Sequence, residues 1–220
     1  MSTLSLEDAR RIFGRDLIEP TPLAAILGLE LDPEWTKGPI PLSADVAAAG
    51  HDAGCLLLFR HDTLADGTPL SLGTLLDRTV KAAHPAIRFR GEEPWFADDT
   101  RICAETPERG WALATPQPWP GTSNQTYEKA GGVLQARAAG APWRRRRSVE
   151  IALDCFAVFA ARGERLLEHA WDWSSTQSSD GGLVNVGGFS GDGLDVLSYS
   201  RAVKHGALGV CPTLVGHSRR

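Results

Sequence analysis

The residues able to do chemistry are spread thinly along the chain. Gly188-Phe189-Ser190-Gly191-Asp192 comes within one residue of the G-x-S-x-G elbow, which exposes a serine nucleophile between a strand and a helix. Its last position is aspartate and no strong strand-to-helix transition follows, so a serine hydrolase is not implied. His51, His61, His84, His169, His205 and His217 are scattered, without the paired spacing of an H-E-x-x-H metal helix. Cys55, Cys103, Cys155 and Cys211 contain no C-x-x-C pair, which argues against a zinc site and a dense disulfide framework. Reduced, buried thiols are expected, Cys155 above all because it falls in the apolar stripe of a helix. The patterns yield no catalytic residue, no metal ligand and no cofactor site.

The framework around these residues reads as one main domain. A chain of 220 residues with 42% hydrophobic and 23% charged residues can bury a sizeable core. Its formal charge of -4 supplies no broad basic footprint, so nucleic acid and anionic membranes are disfavoured as partners. The one basic run, Arg144 to Arg147, precedes an apolar helical pattern and reads as a solvated helix start. No basic start followed by an apolar run marks a secretory signal, and no stretch of about 20 apolar residues suits a bilayer. The default expectation is a cytoplasmic protein without direct membrane insertion.

Periodicity places the elements. Ser5 to Phe13 and Pro22 to Leu29 carry helical spacing, the second closing near Gly28. Pro33, Pro39 and Pro41 enforce an extended connection, so residues 1–50 read as an extension packed on a main domain of residues 51–220. Cys55 to Arg60 is apolar enough for a central strand, Pro69 to Ala83 for a helix capped by Ser71, and Trp111 to Thr115 for a further strand. Ile87 to Arg90 reads as a short strand. Thr126 to Ala139 and Ser148 to Ala161 are the two scaffold helices, the second with Val149, Ala152, Leu153, Phe156 and Phe159 on one stripe.

From Trp171 the texture changes to Gly, Ser and Asp with short apolar alternations. Val184 and Val186, Leu194 and Val196, and Leu208 and Val210 predict three meandering strands burying alternate residues. The outward set is then Gly182, Asn185, Gly188, Ser190, Asp192, Asp195, Leu197, Ser198, Tyr199, Ser200, His205 and Ala207. It has no single chemical theme, which suits recognition better than catalysis.

This segment resembles the variable region of diversity-generating retroelement target proteins, a family with a C-type-lectin-type domain. The matching elements are W-x-W-S-S from Trp171, Ser179-Asp180-Gly181, V-x-V-G-x-F from Val184 to Phe189, G-L-x-V from Gly193 to Val196, and Leu208-Gly209-Val210. Trp111-Ala112-Leu113, the stretch from Pro120 to Tyr127, and Gly163 to Leu167 agree more loosely with the family's framework. The resemblance implies an α+β, C-type lectin-like fold with two scaffold helices, a small antiparallel or mixed sheet, and a loop-rich ligand-binding lobe over about 171–215. It also implies a non-catalytic receptor whose ligand, most simply a protein, is met by side chains rewritten at adenines of AAY codons. Such codons never yield Lys, Glu, Gln, Trp or Met, and every outward position carries a permitted type, while Lys204 must belong to the framework.

Three other readings compete. Residues 171–215 also read as a plain β-rich C-terminus whose Gly and Ser form turns. The lectin-type fold is shared by formylglycine-generating oxidoreductases, for which Cys155 and Cys211 are the pair to inspect. A structural or assembly protein, docked through residues 1–120 on a display partner, is the third.

Overall fold

The computed structural model describes residues 3–138 and 140–216, the side chain of Trp35 excepted. The predicted helix end at Ala139, His217 and the tail Ser218-Arg219-Arg220 lie outside them. Helix α1 (Leu6–Phe13) starts at Ser5, whose side chain accepts from the Asp8 amide. Strand β1 (Leu17–Ile18), helix α2 (Thr21–Leu27), the single turn α3 (Pro33–Thr36) and helix α4 (Ala44–Asp52) follow. Next come strand β2 (Leu56–Arg60) and helix α5 (Leu72–Ala82), which Ser71 and Thr74 close with a reciprocal cap. Helix α6 (Thr100–Ala104) and strand β3 (Gly110–Ala114) lead to the two scaffold helices, α7 (Tyr127–Ala138) and α8 (Ser148–Arg162). The C-terminal part holds strands β4 (Trp171–Gln177), β5 (Leu183–Ser190), β6 (Gly193–Tyr199), β7 (Leu208–Gly209) and β8 (Thr213–Val215).

The fold is mixed α+β, with two four-stranded mixed sheets in place of the single small sheet expected. The first runs β1-β2-β3-β8, with β1 parallel to β2 and the other pairs antiparallel. Its strands are buried on both faces: Leu56 and Leu58 enter the main core with α8, while Leu57 and Phe59 enter a second cluster with Phe13, Ile40, Ala47 and Trp111. That second cluster packs the first fifty residues onto the rest of the chain. Helix α4 runs through it, β1 is a strand of the sheet, and the first fifty residues form one wall of the core.

The second sheet runs β6-β5-β4-β7. β4, β5 and β6 form an antiparallel meander, and β7 lies parallel to β4 on the far edge. The expected order, with Leu208 to Val210 following β6 in the meander, is thereby corrected, and residues 171–215 are more strand than loop. Ile87 to Arg90 contributes only an isolated bridge from Phe89 to Leu194. No helix among the described residues is long and apolar enough to cross a membrane.

The basic run is not a solvated helix start. Arg145 and Arg146 are buried, and all four arginines of the run have partners within the fold. Arg144 forks onto Glu150 with two bonds of 2.7 Å and reaches Glu108 at 2.8 Å. Arg145 stacks 3.9 Å over the Tyr127 ring and donates to the Tyr127 and Trp173 carbonyls. Arg146 donates to Asp172 at 2.9 Å and to Asp154 at 2.8 Å, and Asp154 also takes two bonds from Arg60. Arg147 donates to the Thr106 carbonyl, and its amide is capped by Glu150. Three buried carboxylates from α8 and β4 thus neutralise cations that composition alone places at the surface. Burial pushes the Asp172 carboxyl up to about 6, against the pull of Arg146 and the Cys211 amide. Burial also opposes ionisation of Glu150, but Arg60 and the Arg144 fork outweigh it and hold this group at about 2.

Candidate functional site

The second sheet has two unlike faces. On the inner face Val184, Val186 and Val196 join the main core against α8, and Asp172, between Trp171 and Trp173 on β4, meets Arg146. The alternation of β-strands then puts the residues between them on the outer face. The register gives that face in rows: Trp171 beside Gly187 and Asp195, Trp173 beside Asn185 and Leu197, and Leu183 beside Tyr199.

Helix α7 covers half of it. Ala130 and Leu134 pack with Trp173, Leu183, Leu208 and Val210, and the Tyr127 ring meets Trp173 edge-on at 5.7 Å. The loop after β6 is fastened alongside, since the Tyr127 amide donates to the Arg201 carbonyl and the Asn124 amide to His205. What stays partly open is a strip of Trp171, Asp195, Leu197 and Tyr199, with His205 exposed and its ring 6.0 Å from Trp171 at 90°. Arg90 pairs with Asp195 at 2.8 Å and donates to Ser190 at 2.9 Å, fixing the end of the strip near the β5–β6 turn. Desolvation raises the Asp195 carboxyl above its ordinary value, partly countered by Arg90.

The twelve residues predicted to face outward divide accordingly. Asp195, Leu197, Tyr199 and His205 are brought together, with Ser190 and Asp192 at the turn and Ser200 and Ala207 at the loop ends. Asn185 lies on the correct face but is 0% exposed, because the Trp173 and α7 layer closes over it. Its amide makes no hydrogen bond among the described residues, nor do the indole N–H groups of Trp171 and Trp173. Ser198, opposite Val184, points to the inner side at the strand end and meets the Ser178 hydroxyl at 3.1 Å.

Two of the predicted glycines sit in tight surroundings. Gly188 is buried with φ +57, in a bulge that returns Phe189 to the core. A Cβ there would meet Trp171 at 2.7 Å and Asp195 at 3.0 Å. Gly182 is half-buried, and a Cβ would strike the Ser198 hydroxyl at 2.0 Å. Neither position can carry a side chain without moving its neighbours.

Sequence reasoning missed Trp95, Arg90 and the role of Trp171. Trp95 is 45% exposed and donates its indole N–H to the Val196 carbonyl at 2.5 Å, which covers the edge of β6 and sets an aromatic plate beside the strip. The only sequence signal was Pro94 before a tryptophan among acidic residues. Cys155 and Cys211, the pair of the oxidoreductase reading, are both fully buried, and desolvation holds both thiols up in the protonated form. Among the described residues no group of three or more His, Cys, Asp or Glu side chains is placed to hold a metal ion. No protein-family model, curated protein or solved structure matches the chain.

Proposed function

We propose that the chain is a non-catalytic binding protein of C-type-lectin type, of the kind diversified by a retroelement, and that its outer C-terminal strip meets a macromolecular ligand, most simply a protein. The observation that carries this reading is the separation within one sheet. Aliphatic packing and the Arg146–Asp172 pair secure the inner face, and a half-open strip of Trp171, Asp195, Leu197, Tyr199 and His205 lies on the other. Trp and Tyr supply broad, rigid contact area at low entropic cost, the composition of binding hot spots and of antibody loops. Changes at Asp195, Leu197 and His205 leave the aliphatic packing of the inner face intact, which is what diversification requires.

On this reading the crowding around some of the outward residues narrows the candidate positions. Asp195, Leu197, Tyr199, Ser200, His205 and Ala207 form the candidate set, with Ser190 and Asp192 at its end, while Gly182, Asn185, Gly188 and Ser198 belong to the framework. Sequencing the genomic locus tests the proposal. The expected result is a near-repeat of the coding segment for 171–215 beside a reverse transcriptase gene, differing at adenines and chiefly in the codons of the candidate set. A locus without such a repeat removes the diversification part of the reading.

A further inference from the structure

A groove of about 550 Å³ opens between α4 and the segment that precedes and follows α7. Val46 and Gly50 of α4 form one wall, Trp119 and Trp143 the other, Leu214 of β8 the floor, and Arg137 of α7 closes one side. It shares no residue with the outer strip of the C-terminal sheet. The two tryptophan rings lie 5.4 Å apart at 59°, and Val46 is 39% exposed with no apolar layer over it. The Trp119 backbone is held at both ends, its amide donating to Val210 and its carbonyl accepting from Thr122, so the aromatic wall is preformed.

Arg137 is the single charged residue of the lining. Its guanidinium sits 5.5 Å from the Trp119 ring centroid and donates to the Pro120 carbonyl at 3.2 Å, and it forms no ion pair with any described carboxylate. Asp45 and Asp52 of α4 lie outside the lining. An apolar, aromatic channel of ligand size with one unneutralised cation at its side calls for an apolar occupant carrying one negative charge.

We infer that this groove binds the C-terminal end of an apolar peptide, with aliphatic or proline side chains between Val46, Trp119 and Trp143 and the terminal carboxylate on Arg137. Aromatic-lined grooves take extended apolar or proline-rich peptides, and an arginine at the side supplies the charge-assisted partner that a terminal carboxylate needs. A ligand taken here leaves the outer strip free, so one molecule can hold two partners at once.

The test titrates the isotope-labelled full chain with the tetrapeptide acetyl-Pro-Leu-Pro-Leu as the free acid and as its C-terminal amide, following the Trp119 and Trp143 indole signals. The acid shifts both signals and binds about threefold to fivefold tighter than the amide, the size expected of a solvent-accessible ion pair. Arg137→Gln removes the acid–amide difference without changing the melting temperature, and Tyr199→Ser leaves binding as it was. Four results overturn the inference: no shift with the acid up to about 5 mM, equal binding of acid and amide, shifts centred on Leu197 and Tyr199, or loss of binding in Tyr199→Ser. A second copy in the groove, seen as concentration-dependent sedimentation abolished by Val46→Glu, would also overturn it.

Discussion

The inner and outer faces of the C-terminal sheet are built from the same three strands but are held to different standards. Inward, Val184, Val186 and Val196, with Leu194 and Phe189 beside them, are sealed against α8, and the one charge on that face, Asp172, is matched by Arg146 and by the Cys211 amide at 2.8 Å. Outward, Asp195, Leu197 and Tyr199 are half-buried: Asp195 pairs with the half-exposed Arg90, and Tyr199 rests edge-on against the buried Trp173 with its other side open. Burial makes the inner face intolerant because every lost contact or orphaned charge is felt in full, whereas a half-open side chain exchanges protein contacts for water.

The sharpest way to break that contrast is to cut the charge pair. Arg146→Ala leaves Asp172 buried without its cation, and the expected loss is about 3–5 kcal/mol in denaturant unfolding. A loss below about 1 kcal/mol would mean that the pair does not anchor β4. Phe189→Ala should cost about 3–5 kcal/mol by the same measurement, since the ring packs edge-on against Phe156 and Phe159. Gly188→Ala comes next, at about 1–3 kcal/mol, because φ +57 and the approach of Trp171 both oppose a side chain. A neutral result there would return Gly188 to the candidate positions. The smallest effect belongs to the outer strip. Asp195→Ser, Leu197→Ser and Tyr199→Ser combined should keep the melting temperature within a few degrees.

Acidity sharpens the same comparison. Asp172 has a folded pKa of about 6, above its ordinary 3.8, so the native state takes up its proton first and the group costs stability progressively as pH rises from about 4 to 6. Glu150 has the opposite sign: at about 2 against an ordinary 4.5, its contribution is complete above the higher value and is lost as pH falls toward the lower one. The Asp172→Asn variant should therefore lack the decline between about pH 4 and 6 that the parent shows in denaturant midpoints. A parent and variant with parallel profiles there would contradict the raised carboxyl.

What the sequence made legible follows the strength of its periodicity. Helices α5, α7 and α8 and strands β2 and β3 carry apolar patterns or caps that need no distant information, and each lies within a few residues of its predicted span. Strand β4 did not announce itself, because W-D-W-S-S-T-Q buries Asp172 and Ser174 where the pattern calls for aliphatics, and the arginines that make this possible lie on another segment. The basic run was misread for the same reason. Glu150 and Asp154 lie within two turns of the helix that follows, but nothing in the pattern shows them buried, and Asp172 and Glu108 reach the run only through the fold. For the site, alternation placed Asn185, Asp195, Leu197 and Tyr199 on one face, but it carries no knowledge of the α7 layer that closes over Asn185 or of Trp95 arriving from a distant turn.

If the two faces differ as described, the outer strip tolerates substitution without cost to the fold. A library of the full chain randomised together at Asp195, Leu197, Tyr199, Ser200 and His205 and sorted for proteolytic resistance measures that tolerance. Most clones are expected to resist as the parent does, while a parallel library at Val184, Val186, Leu194, Val196 and Phe189 is almost wholly degraded. Equal losses in the two libraries would contradict it.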